Sequence, residues 1–288
     1  MNSPLIGAVL TGSALLVSHA FAATSFENSL KGFGNNGGLA NSSEDSATVT
    51  NLNNAGLEPA FILGGDSWER IDFSTSGATF GTAQGGDPGR NYLRTTDKDY
   101  FTTNFTAEVL FTTDANYGIQ AFFMGMGAGV RGTAFGFPDI YENGSYTSVF
   151  LEARDGGAEV ATFGFKATSG AGAVEQLGNA RDASYSNNFS WGQGTHRAIM
   201  SFDVAAQAMT FQLDLNNDGS MDGGTMGTMV VDVSELMTEW SNGDAAALFI
   251  GGDDGVVLSE WKVTVPEPSQ AAMLVGVSAL ALAAMRRR

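Results

Sequence analysis

Along this chain apolar and polar residues alternate with a period of two in one segment after another, which predicts strands rather than helices. In residues 105–111 (Phe-Thr-Ala-Glu-Val-Leu-Phe) the odd positions are apolar and the even ones mostly polar, the mark of a strand with one buried face. Residues 118–126 (GIQAFFMGM) are apolar on both faces, so they are expected at the centre of a sheet as the partner of that strand. Further strands are expected over 147–154, 158–166, 195–204, 207–215, 246–250 and 256–265, and Phe26 and Leu30 mark the start of the first. The pair at 195–215 reads as a hairpin. Ala198, Met200 and Phe202 line one face of its first arm, Met209, Phe211, Leu213 and Leu215 one face of its second, and a short Ala-Ala turn joins them. The one helix expected is brief, 233–240, with Ser234 near its start.

Strands of this length and spacing predict an all-β fold, an antiparallel jelly-roll β-sandwich with an N-terminal signal helix and a C-terminal apolar helix at its flanks. The stretch from 23 to about 56 is rich in Ser, Asn and Gly and offers only short strand candidates. No repeat of fixed period occurs, which disfavours solenoids and propellers. One sandwich over 23–264 is expected, the alternative being a split near the TSGAGA stretch at residue 170.

Composition narrows the picture further. Charged residues are 16% of the chain against roughly 25% in an average domain, and 38 of the 288 residues are Gly, nearly twice the usual share of about 7%. The net charge is −17, and it becomes more negative once the three arginines at the C-terminus are set aside. Such a surface repels phosphate backbones, so nucleic acid is not an expected partner. With no cysteine, disulfides, thiolate metal sites and cysteine nucleophiles are excluded.

The two ends speak about destination. The apolar stretch 5–20, followed by Ala20-Phe21-Ala22 with small residues at the −3 and −1 positions before Ala23, reads as a signal peptide over 1–22, a substrate for signal peptidase. Its n-region departs from the usual pattern in carrying no Lys or Arg. At the other end stand Val265-Pro266-Glu267-Pro268-Ser269, an apolar run over 271–285, and Arg286, Arg287 and Arg288. Fifteen helical residues reach only about 22 Å against a hydrocarbon core of about 30 Å, so the run is a marginal span suited to transient insertion in the inner membrane. The arginines would stay on the cytoplasmic side and leave the Pro-Glu-Pro segment at the outer face.

This tail, 265–288, closely resembles the PEP-CTERM sorting signal of Gram-negative bacteria, which implies recognition by exosortase and a surface or exopolysaccharide-associated destination. The alternative is an ordinary C-terminal anchor. Between the ends, RNYLRT (90–95) before FTAEVLFTTD (105–114), HRAIMSFD (196–203) before MTFQLDLNNDG (209–219), and the closing GGDDGVVLSEWKVT (251–264) resemble the laminin-G-like or concanavalin A-like jelly roll. That resemblance implies loops that hold calcium at one rim of the sandwich.

Candidate chemistry is concentrated in one place. Asp214, Asn216 and Asp218 stand at every second position, followed by Gly219, with Ser220 and Asp222 beyond, a spacing that suits a hard cation with six to eight oxygen ligands. Calcium is the tentative cofactor. Position twelve of the loop is Thr225 where a bidentate Glu is expected, and the alternative is a plain turn. Asp97 with Asp99, and Asp253 with Asp254, are weaker acidic clusters that read as turns.

Signs of catalysis are few. His19 lies in the signal peptide, which leaves His196 beside Arg197 as the histidine of the mature chain. Glu108, Glu152 and Glu159 lie in strands without an alternating acidic neighbour, so the carboxylate pair of a glycosidase is missing. The aromatic residues of a type that grips sugar are Trp68, Tyr92, Tyr100, Tyr117, Tyr141, Tyr146, Tyr185 and Trp191, while Trp240 and Trp261 read as structural. Taken together, a non-catalytic, exosortase-processed protein of the envelope or extracellular matrix is expected, structural or polysaccharide-associated. A calcium-dependent carbohydrate-binding module is the alternative, and a glycoside hydrolase the third reading.

Overall fold

A computed structural model describes residues 23–33, 39–40, 46–61, 70–81, 91–113, 119–128, 145–154, 159–167, 174–176, 193–221, 228–244, 246–253 and 255–266. In chain order the first strands are β1 (Phe26–Asn28), β2 (Leu39–Ala40), β3 (Leu57–Phe61), β4 (Arg70–Phe73), β5 (Ala78–Phe80) and β6 (Asn91–Thr95). Then come β7 (Phe105–Thr113), β8 (Ile119–Ala128), β9 (Ser145–Arg154), β10 (Glu159–Ala167) and β11 (Val174–Gln176). The last are β12 (Gly194–Asp203), β13 (Ala208–Asp214), β14 (Thr228–Asp232), β15 (Ala247–Asp253) and β16 (Val256–Thr264), with helices α1 (Ser46–Asn54) and α2 (Ser234–Glu239).

The strands form two antiparallel sheets, and the fold is mostly β, as expected. The first runs β14-β13-β12-β7-β16-β5-β4-β2, with β1 also on β16, and the second runs β11-β10-β9-β8-β15-β6-β3. Strands from the beginning and the end of the chain interleave in both: β16 lies between β5 and β7, and β15 between β6 and β8.

Strand β7 shows why this sequence makes a sandwich. Its residues alternate between buried and half-buried from end to end, and Phe105, Ala107, Val109, Phe111 and Thr113 all point into the core. Full burial of a Val or Phe side chain stabilises by roughly 1.5–3 kcal/mol, so a register slip that turned this face outward would be prohibitive. The β12–β13 hairpin is built as its periodicity predicts, and Phe202 pairs across it with Met209. Its turn is pinned by Asp203, whose Oδ1 accepts the amides of Ala205 and Ala206 at 2.9 and 3.0 Å, while Gln207 takes a φ of 51°.

One expected pairing is wrong. Strand β8 is central in its sheet, as its two apolar faces predict, but its neighbours are β9 and β15 and not β7. The two strands sit in opposite sheets and meet through the core, where the Phe111 and Phe122 rings stack at 4.1 Å between centroids and 3° between planes. Burial accounts for the difference: β7 has one polar face for solvent, whereas residues 122–127 of β8 are buried on both sides. Gly125 is required there, because a Cβ would stand 2.5 Å from the Phe249 ring and 2.3 Å from the Thr147 carbonyl oxygen.

Helix α1 falls in the stretch read as Ser/Asn/Gly-rich. It contributes Thr48 and Leu52, one turn apart, to the interior, a seam too narrow to show against the surrounding polar residues. Helix α2 is found where expected, and Trp240 at its end is buried.

The strand directions define two poles. Strand β7 starts beside Thr264 and Phe202 and ends beside Val257, Thr195 and Gly194, so its length of about 27 Å separates them. Both ends of the described chain lie at the first pole. The loop after β13 lies at the second.

Candidate functional site

The far pole is organised by two adjacent residues of β12. Arg197 is the direct cross-strand partner of Asp214, the last residue of β13. Asp214 is wholly buried, and its Oδ2 accepts the Arg197 Nε and a terminal guanidinium nitrogen at 3.0 and 2.5 Å. The same carboxylate accepts the amide of Asp218 at 3.0 Å on Oδ1 and that of Gly219 at 3.3 and 3.2 Å on Oδ1 and Oδ2. On its other side the guanidinium lies 3.6 Å from Glu108 of β7.

His196 holds the loop from beneath. Its ring is fully buried beside Phe111, and Nδ1 accepts the amide of Asn216 at 3.0 Å. An accepting Nδ1 in a neutral imidazole puts the proton on Nε2, which stands 3.3 Å from Thr113 Oγ1. The loop crosses this base with Asn216, Asn217 and Gly219 at φ of 66°, 49° and 90°, the left-handed region that Asn and Gly enter most readily. The side chains of Asn216, Asn217, Asp218 and Ser220 are left exposed at the tip.

Of the expected calcium ligands, Asp214, Asn216, Asp218 and Ser220 lie in this loop among the described residues. Asp214 faces inward to its own guanidinium, Asp218 Oδ1 accepts the Ser220 amide at 2.8 Å, and Asp222 lies outside the described residues. Among the described residues no group of three or more His, Asp or Glu side chains gathers as metal donors. With Asp214 engaged by Arg197 and two loop amides, the described part of the loop offers the ion that the resemblance implies no free first ligand.

His196 serves structurally, and Arg197 is the residue whose role sequence reasoning misses. A signal existed: counting outward symmetrically from the Ala205-Ala206 turn sets Arg197 opposite Asp214, so the hairpin register alone brings the two charges together.

At the opposite pole the two ends of the described chain are tied to each other. Strand β1 pairs with β16, Phe26 opposite Val263, and the Ser25 hydroxyl and Val265 exchange hydrogen bonds: the Val265 amide donates at 2.8 Å and the hydroxyl returns to the Val265 carbonyl at 3.3 Å. Ahead of them Ala23 is buried, the Thr24 amide donates to Asp97 at 3.3 Å, and the Tyr100 hydroxyl donates to the Thr24 carbonyl at 2.8 Å. Burial, reinforced by the nearby Asp97 charge, pushes the Tyr100 hydroxyl well above the ordinary tyrosine range. Asp97 also accepts the amide of Asp99 at 2.9 Å, which makes that acidic pair a turn, as read from the sequence.

Of the processing residues, Ala23 and Pro266 are described; Ala20, Ala22, Glu267, Pro268 and Arg286, Arg287 and Arg288 lie outside the described residues. Among the described residues no helix is long and apolar enough to cross a membrane, and the run at 271–285 is not among them. Of the aromatic candidates, Tyr92, Tyr100 and Tyr146 are buried, as are Trp240 and Trp261, while Trp68, Tyr117, Tyr141, Tyr185 and Trp191 lie outside.

No family model matches this chain, and no curated protein matches it. Among solved structures it is similar to the winged bean acidic lectin complexed with methyl-alpha-D-galactose, at 10% identity and a TM-score of 0.47 over 85% of this chain and 99% of that one. It is similar to the CBM2 module of the evolved Dit of Lactobacillus casei BL23 phage J-1, at 11% identity and a TM-score of 0.46 over 72% and 89%. A third similarity is to the exoplasmic/lumenal domain of VIP36 in its Ca2+/Man2-bound form, at 8% identity and a TM-score of 0.42 over 75% and 83%.

Proposed function

We propose that this protein is a non-catalytic component of the bacterial envelope or its matrix that binds polysaccharide through the pole opposite its chain ends. The observation that supports the reading is the Asp214–Ser220 loop, whose backbone is held by the buried, ion-paired Asp214 and a buried histidine while amide, carboxylate and hydroxyl side chains stand exposed on it. Those groups complement sugar hydroxyls, which both donate and accept. A loop ordered before binding also loses little entropy on contact.

The same geometry speaks against hydrolysis at this site. Its histidine is buried and serves as a hydrogen-bond acceptor for the loop, and Glu108 stands beside a guanidinium rather than a second carboxyl group. Export by the 1–22 signal peptide and sorting by exosortase through 265–288 complete the proposal, with the loop pole facing away from the membrane while the tail is inserted.

A glycan array and an exopolysaccharide pull-down with the secreted protein test the reading. Retention that falls at least tenfold in the Asn216→Ala, Asn217→Ala double variant supports it. Absence of binding to every neutral and acidic polysaccharide overturns it, as does release of reducing sugar by the wild-type protein.

A further inference from the structure

We infer that Arg197 performs in the far-pole loop the task that a divalent cation performs in oxygen-rich loops of the same sequence pattern, so that the loop is closed by an internal charge and keeps its shape without calcium. The capacity of the Asp214 carboxylate decides the point. An ionised carboxylate offers about four lone-pair sites. Four N–H donors already converge on it: two from the Arg197 fork, the Asp218 amide and the Gly219 amide, the last shared between both oxygens. The first ligand position of the expected metal loop therefore has no acceptor left for an ion.

The guanidinium cannot readily swing aside to make room. Its backbone is locked opposite Asp214 by the hairpin register, and its outer side is held 3.6 Å from Glu108. A cation brought to Asp214 would meet a fixed positive charge within contact distance, and a wholly buried carboxylate stripped of that charge would stand unpaired. Of the other described ligands of the pattern, Asn216 and Ser220 are exposed, and Asp218 accepts the Ser220 amide. The spacing that suggests calcium serves here as the geometry of a turn, and the charge it needs comes from the neighbouring strand.

Thermal melting of the mature secreted protein in millimolar calcium and in chelator tests this directly, together with a calorimetric calcium titration. The wild-type midpoint is expected to be the same in both media, with no binding heat. Arg197→Met is expected to melt about 10 °C lower, and Arg197→Lys, which keeps the charge but not the fork, between the two. The inference is overturned if calcium raises the wild-type midpoint, if calcium binds the wild type, or if Arg197→Met melts with the wild type. Should Arg197→Met fail to fold, the wild-type comparison still decides. None of these measurements involves a glycan, so their failure is separate from failure of the binding proposal; if sugar retention is found, it is expected to survive the chelator.

Discussion

The two poles of the sandwich are fastened in different ways. At the far pole the fastening is charged and local: the buried Asp214 and His196 and the half-buried Arg197 belong to one hairpin and secure the few residues that follow it. At the near pole the Ser25–Val265 tie is neutral, exposed and remote in sequence, its residues separated by 240 positions. A buried charge left without its partner is far costlier than an exposed hydrogen bond returned to water. The far pole is thus built to be rigid, as a binding loop requires, and the near pole to join two strand ends at modest cost.

The sharpest way to break this contrast is Asp214→Ala. It removes the acceptor of the Asp218 and Gly219 amides and leaves Arg197 facing Glu108 alone, and should cost about 3–5 kcal/mol in urea unfolding. His196→Phe keeps the ring volume against Phe111 but deprives the Asn216 amide of its acceptor. A loss of about 1–3 kcal/mol is expected, together with faster hydrogen exchange at that amide while core strands keep their protection.

At the near pole, Tyr100→Phe should cost only about 1 kcal/mol at neutral pH. Its larger effect is on alkaline stability. Because burial raises the folded-state pKa, the stability linked to the protonated hydroxyl is complete below the unfolded tyrosine value of about 10 and is lost as pH rises above it. Wild-type unfolding followed above that pH should steepen relative to the variant, and parallel curves would contradict the assignment. Smallest of all, Ser25→Ala should change stability by less than about 1 kcal/mol, visible mainly as faster exchange of the Val265 amide.

Much of this architecture is legible in the residues. Strand β7, the β12–β13 hairpin and helix α2 each carry their own periodicity, and each is found within a residue or two of where the pattern puts it. The partner of β7 is not legible. Adjacency in sequence favours β8, but Phe111 and Phe122 both have to bury their rings, and stacking across the core satisfies both. The loop shows the same limit. Its oxygen spacing is plain in the sequence, yet whether those oxygens face a metal, a guanidinium or water depends on a side chain from the next strand.

The sequence by itself determined the fold class, most strand positions and one hairpin, because a period of two and a turn are properties of neighbouring residues. Tertiary structure decided the division of strands between two sheets, the pairing of β1 with β16 at one pole and the closure of Asp214 by Arg197. Each of these turns on which groups become buried together, and burial is a property of the assembled core rather than of any segment of the chain.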